Sequence, residues 1–117
     1  MEVAVKGPGK FNVSVVGVAQ YQSVLEAAAK EEPAPSAVLA AEDDNPHDDQ
    51  AVAVHIHGKR AGYLSRADAR RFRADLGAAG YARLRVRCKA KIVGGFATKS
   101  GERAHFGLKL DLPRFSP

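Results

Sequence analysis

From Ala82 to Val93 the chain alternates without a break, with Leu84, Val86, Cys88, Ala90 and Ile92 on one side and Arg83, Arg85, Arg87, Lys89 and Lys91 on the other. A period of two is the signature of a strand with one face in a core and one in water. His105 to Leu112 alternates in the same way, with Phe106, Leu108, Leu110 and Leu112 apolar. Phe11 to Val18 is β-branched, with Phe11, Val13, Val15 and Gly17 facing one way and Val16 and Val18 the other. It predicts a largely buried strand, in which Gly17 marks a close backbone approach or a bulge. Ala37 to Ala41 and Ala51 to Ile56 predict two more strands, and Gly58 supplies a tight turn before Arg60 to Leu64, which closes a hairpin.

Two stretches switch to helical spacing. Gln20 to Lys30 carries Tyr21, Val24, Leu25 and Ala28 on one face and ends before Pro33 and Pro35. Arg66 to Ala79 aligns Ala69, Phe72 and Leu76, with Ser65 placed to cap it three residues before Asp68 and glycines at 77 and 80 to stop it. The acidic segment Glu42 to Asp49 reads as a surface loop turning at Asn45 and Pro46, and Gly94 to Arg103 as a second, glycine-rich loop. These elements predict a mainly β fold with two short helices, a small antiparallel barrel of OB-like or SH3-like type. One domain over residues 11–112 accounts for them, with a flexible leader at 1–10 and a tail at 113–117.

Charge sharpens this picture. The chain has 18 Lys and Arg against 13 Asp and Glu, a net +5, but residues 1–65 carry −4 and residues 66–117 carry +9. Such a balance favours a polyanionic partner such as nucleic acid. The single cysteine, Cys88, excludes an internal disulfide and a cysteine-built zinc site, and it falls on the apolar side of its strand, where a thiol is packing rather than a nucleophile. No apolar run approaches the roughly 20 residues of a membrane helix. The expectation is a cytoplasmic protein without a membrane anchor or cofactor.

Three stretches carry a family resemblance: VSVVGVAQYQSVL from Val13, EDDNPHDDQAVAVHIHG from Glu42, and AGYLSRADARRF from Ala61. Together they resemble the HIRAN domain, in which a strand ending in Gly is followed by an aromatic, an Asn-Pro-Tyr-Asp loop, Ala-Val-x-Val, and Val-Gly-Tyr-Leu before a helix. The resemblance implies an OB-like barrel that captures the 3′ end of single-stranded DNA, in the company of other DNA-processing proteins. It implies roles for Asp48 near a terminal hydroxyl, Asn45 in shaping the loop, Tyr21 and Tyr63 in a pocket, Arg66 at a phosphate, and Phe96 as a stacking aromatic. The chain departs from the pattern at His47, which replaces the loop tyrosine, and at Ala19 and Gln20, which replace a basic and an aromatic residue.

The residues also speak for themselves. A carboxylate repels phosphates but accepts a bond from a terminal hydroxyl, so Asp48 suits end recognition; it equally suits an Asx turn that accepts backbone N–H groups. Tyr21, Tyr63 and Phe96 can stack on bases or serve the core. Arg85 and Arg87 sit in a row of five cations that could follow a phosphate backbone or merely protect a strand edge. Arg66, Arg70 and Arg73 form a second basic stripe, on a helix. His47, Asp48, Asp49, His55 and His57 invite a metal-dependent nuclease or hydrolase as an alternative, with generic spacing. No nucleophile elbow, phosphate loop or zincin motif occurs. Nucleic-acid binding, single-stranded DNA above all, is therefore the leading expectation, and a protein-interaction adaptor on the same fold is its rival.

Overall fold

The computed structural model describes residues 2–31, 34–81, 83–95 and 105–113. The alternating segment forms the longest strand, β6 (Arg85–Gly94), whose even-numbered side chains Val86, Cys88 and Ala90 are buried while the basic ones face outward. Around it stand β1 (Glu2–Ala4), β2 (Val13–Val16), β3 (Ser36–Glu42), β4 (Ala51–Ile56), β5 (Lys59–Leu64) and β7 (Phe106–Asp111). A 3-10 turn (Val18–Tyr21) runs into α1 (Gln22–Ala29), and α2 (Arg66–Ala78) follows β5.

Following hydrogen bonds from β6 through β3, β4, β5, β2 and β7 leads back to β6, so six antiparallel strands close a barrel. This is the expected small OB-like architecture. Inside it Leu39, Val52, Val54, Ile56, Val86, Leu108 and Leu110 are essentially inaccessible, and Leu25, Phe72 and Leu76 bring the two helices onto the same core. Each such aliphatic side chain contributes about 1.5–3 kcal/mol when fully buried. Gln22 fastens α1 to the barrel: its amide oxygen accepts the Phe106 N–H at 2.8 Å and its Nε2 donates to the Phe106 carbonyl at 3.0 Å. Ser65 caps α2, accepting the Asp68 N–H at 3.1 Å.

Four details depart from the sequence-based expectation. Glu2–Ala4, expected in a leader, is a strand that pairs in parallel with Arg85–Arg87, on the side of β6 that β7 leaves open. Three residues are too few for a periodic signal, and the strand is held by Val3 and Val5 against the core. Second, β2 is half the expected length and buries one face only, leaving Val16 45% exposed. Third, Gly17 has φ of 72° and open space where a Cβ would be, so it serves the turn into the 3-10 segment and not a close approach. The close approach belongs to Gly62, where a Cβ would lie 2.5 Å from Val15 Cγ1 and 2.7 Å from the Val16 carbonyl. Fourth, Glu42 is the last residue of β3 and not part of the loop.

Candidate nucleic-acid interface

The hairpin of β4 and β5 turns at His57 and Gly58, both with positive φ, and so returns Arg60 opposite His55. Beside them Tyr21 and Tyr63 both reach Arg60. The Arg60 guanidinium lies over the Tyr63 ring, 5.4 Å from its centroid, a cation–π arrangement. Glu42 holds the group together. Its Oε1 accepts the Tyr63 hydroxyl and the Asn45 amide, each at 3.0 Å, and its Oε2 pairs with Arg60. Partial burial works against the Arg60 charge, but the Tyr21 hydrogen bond and Glu42 outweigh it and raise the guanidinium pKa further. Burial, followed by the bond to Glu42, likewise raises the Tyr63 hydroxyl.

Strand register extends this cluster into a face. Arg60 pairs with His55, His55 with Val38, and Val38 with Arg87, which forms one row across the outside of the barrel. In the next row Val16 pairs with Tyr63, Tyr63 with Ala53, and Ala53 with Ala40. Arg85 lies two residues before Arg87 on the same side of β6. With strands about 4.8 Å apart, roughly 14 Å separates the Arg60 and Arg87 backbones, and His55 and Val38 lie between them in the same row. His55 senses both walls: burial and then Arg60 depress its pKa, Glu42 opposes them, and Arg85 adds to the depression. Arg87 donates to Glu2 at 2.8 Å. At one end the face opens on a cleft of about 530 Å³ lined by Pro35, Ser36, Val38, His57 and Arg87.

The loop residues are arranged differently. Asn45 forms an Asx turn, its Oδ1 accepting the His47 and Asp48 N–H groups at 2.8 and 3.1 Å, which leaves the His47 side chain exposed. Asp48 accepts the Gln50 N–H at 3.0 Å and both terminal nitrogens of Arg70 at 3.2 and 3.3 Å, with Arg66 at 3.9 Å. These contacts, the Gln50 bond foremost, lower the Asp48 pKa against the effect of partial burial. Both of its oxygens have partners within the chain. Arg73 completes the joint, donating to Asp43 at 2.7 Å and to the Ala51 carbonyl at 2.9 Å.

Of the residues expected at the site, the structure therefore joins Asn45 and Tyr63 through Glu42, brings Tyr21 to Arg60, and sets Arg85 and Arg87 on the same face. It removes Asp48, Arg66 and Arg70 to an ion-paired joint beneath the loop, while Phe96 lies outside the described residues. Sequence reading missed Glu42, Arg60 and His55 as members of one face. The signal was present: Glu42 continues the outward alternation of Val38 and Ala40, provided that β3 is extended one residue into the acidic run.

His55 and His57 do not converge on a common point. His57, at the hairpin turn, pairs with Glu31, while His55 stands between arginines. Among the described residues no three His, Cys, Asp or Glu side chains are placed to hold a metal ion. The buried Cys88 thiol is pushed up to about 12, by burial first and the charge of Asp111 second. A larger groove of about 750 Å³ between the N-terminal segment and α2, lined by Lys6, Pro8, Lys10 and Phe72, contains none of the expected site residues. Among the described residues no helix is long and apolar enough to cross a membrane. No family model, curated protein or solved structure matches the chain. The resemblance to HIRAN domains rests on the residues quoted for it above.

Proposed function

We propose that this chain is a HIRAN-like nucleic-acid-binding module, without catalytic activity, that takes single-stranded DNA on the outer face of β5, β4, β3 and β6. The observation that carries the reading is the cross-strand register. It sets the Tyr63–Arg60 stack and the Arg85–Arg87 pair on opposite sides of a strip that carries His55, Val38 and Ala40. Bases stack on the aromatic side and phosphates meet the arginines, an arrangement that tolerates any sequence. Glu42 sets the orientation of the platform and keeps the pocket near neutrality, so the phosphates run along β6 and not into the pocket.

A titration of labelled single strands tests this. Affinity falls steeply between about 50 and 200 mM salt, because each cation that meets a phosphate releases a counterion. Tyr63→Ala removes one stacked base, a loss of about 1–3 kcal/mol. Exchange of Arg85 and Arg87 for Glu weakens all strands alike in a folded protein. A flat salt response sinks the proposal and favours an adaptor. The same titration with 3′-hydroxyl, 3′-phosphate and circular strands asks whether an end is preferred.

A further inference from the structure

We infer a second nucleic-acid site, on the β6–β7 surface, formed by Lys89, Lys91 and Lys109 and suited to the backbone of a duplex. These lysines continue the outer side of β6 beyond Arg87 and extend it onto β7, away from the Arg60–Tyr63 stack on β5. Lys91 and Lys109 are direct cross-strand partners and both are exposed. Like charges placed opposite each other in an antiparallel pair destabilise it.

The ordinary explanation of strand lysines, protection of a free edge, does not reach Lys89 and Lys109, each of which is paired on both sides of its strand. On one side β6 is paired with β3 as far as Lys89, and the Ala90 N–H goes to the Pro35 carbonyl. On the other it is paired with β7 from Lys89 to Gly94, and β7 is paired in turn with β2 at Ser14 and Lys109. None of the three lysines forms an ion pair with a described residue. Asp111 stands opposite Lys89, but its carboxylate is buried beneath the N-terminal segment and accepts the Gly9 N–H with both oxygens, at 2.9 and 3.0 Å. An unrelieved repulsion in a closed barrel wall is explained by a polyanion that relieves it.

The surface selects its ligand by what it lacks. Ser14, Lys89, Lys91 and Lys109 offer no aromatic ring, so unpaired bases gain nothing from stacking there. A duplex keeps its bases inside and presents phosphates, which lysine meets as a point charge. Lys89 and Lys91 lie about 6.6–6.8 Å apart along the strand, roughly two phosphate steps of one DNA strand.

The test uses the full chain with two probes, a DNA duplex closed by loops at both ends and a short single strand. In a variant carrying both Lys91→Gln and Lys109→Gln, duplex affinity falls by roughly tenfold at low salt and the slope of log affinity against log salt flattens by about 1.8, two phosphate contacts at 0.9 each. Single-strand affinity stays within about twofold, and the thermal midpoint is unchanged or higher because the repulsion is gone. The variant with both lysines changed to Arg keeps duplex binding. The inference fails if the native chain does not bind the duplex, if both probes weaken alike in the Gln variant, or if the Arg variant loses duplex binding as well. It stands apart from the single-strand proposal: loss of single-strand binding with the duplex retained sinks that proposal alone.

Discussion

Around the β3–β4 loop charges are matched: Asp43 meets Arg73, Asp48 meets Arg70 and Arg66, and Asp75 meets Arg71 within α2. Across β6 and its neighbours they are not: among the described ion pairs Arg87 alone of Arg85, Arg87, Lys89, Lys91 and Lys109 meets an acid, Glu2. Composition makes the two regions look alike, since both are dense in charge. Pairing separates them. Opposite charges that satisfy one another hold a loop in shape and leave little field for a ligand, whereas like charges in register create a field that a polyanion lowers. The helical stripe of Arg66, Arg70 and Arg73, which the sequence offers as a second phosphate-binding surface, is thus engaged with acids of the β3–β4 loop, and the stripe on β6 is the one that the proposed ligand would meet.

The largest effect is expected where the pairing is most enclosed. Arg73 is 19% exposed and supplies one of the acceptor bonds of the Ala51 carbonyl as well as the contact to exposed Asp43. Replacing it with Met keeps the aliphatic stem and removes a charged hydrogen bond, at a cost of about 1.5–3 kcal/mol. The Asp43 contact adds little, because that carboxylate is 70% exposed. Urea unfolding reads the loss, while nucleic-acid affinity of the folded variant is unchanged. A stable variant with weakened binding would move Arg73 into the second category and break the contrast.

A smaller effect separates the regions from the other side. Glu2→Gln removes the carboxylate that Arg87 now holds at 2.8 Å. Both side chains are more than a third exposed, so the change in stability stays within about 0.5 kcal/mol. Arg87 is then released to a phosphate, and the single-strand salt slope steepens by about 0.7. Unchanged salt dependence would mean that Arg87 does not meet the backbone.

How far the sequence leads differs between barrel and site. The strands on which a two-residue period runs long, β6 and β7, are legible to within a few residues, β6 starting at Arg85 where the alternation starts at Ala82, and α2 is announced by its cap and its Ala69–Phe72–Leu76 face. Closure of the sheet, the parallel β1 and the one-sided β2 are not legible, because they depend on which edges meet and not on local pattern. At the site, Tyr63 is found by its motif, whereas Glu42 is hidden in an acidic run whose members look equivalent. Only the register shows that Glu42 points at Tyr63 and Arg60 while Asp48, six residues on, points at α2.

Asp48 provides the finest discrimination between the two uses of charge. If its carboxylate belongs to the joint, Asp48→Asn lowers the thermal midpoint at neutral pH, although the Asn oxygen can still accept the Gln50 N–H. The folded pKa lies below the ordinary 3.8. The stabilisation from the charge is therefore complete above the unfolded value and is lost as pH falls through the lower folded one. Wild type and variant should accordingly differ by a constant midpoint gap near pH 7, and the gap should close as the pH drops below about 4. Added salt should narrow the gap at neutral pH, because the guanidinium of Arg70 is half exposed. Discrimination between 3′-hydroxyl and 3′-phosphate strands should not change, since the oxygens that would meet a terminal hydroxyl already accept bonds from Gln50 and Arg70. The opposite pair of results, an unmoved midpoint with a lost preference for free ends, would show that this carboxylate faces a ligand and that the acidic loop belongs with β6 after all.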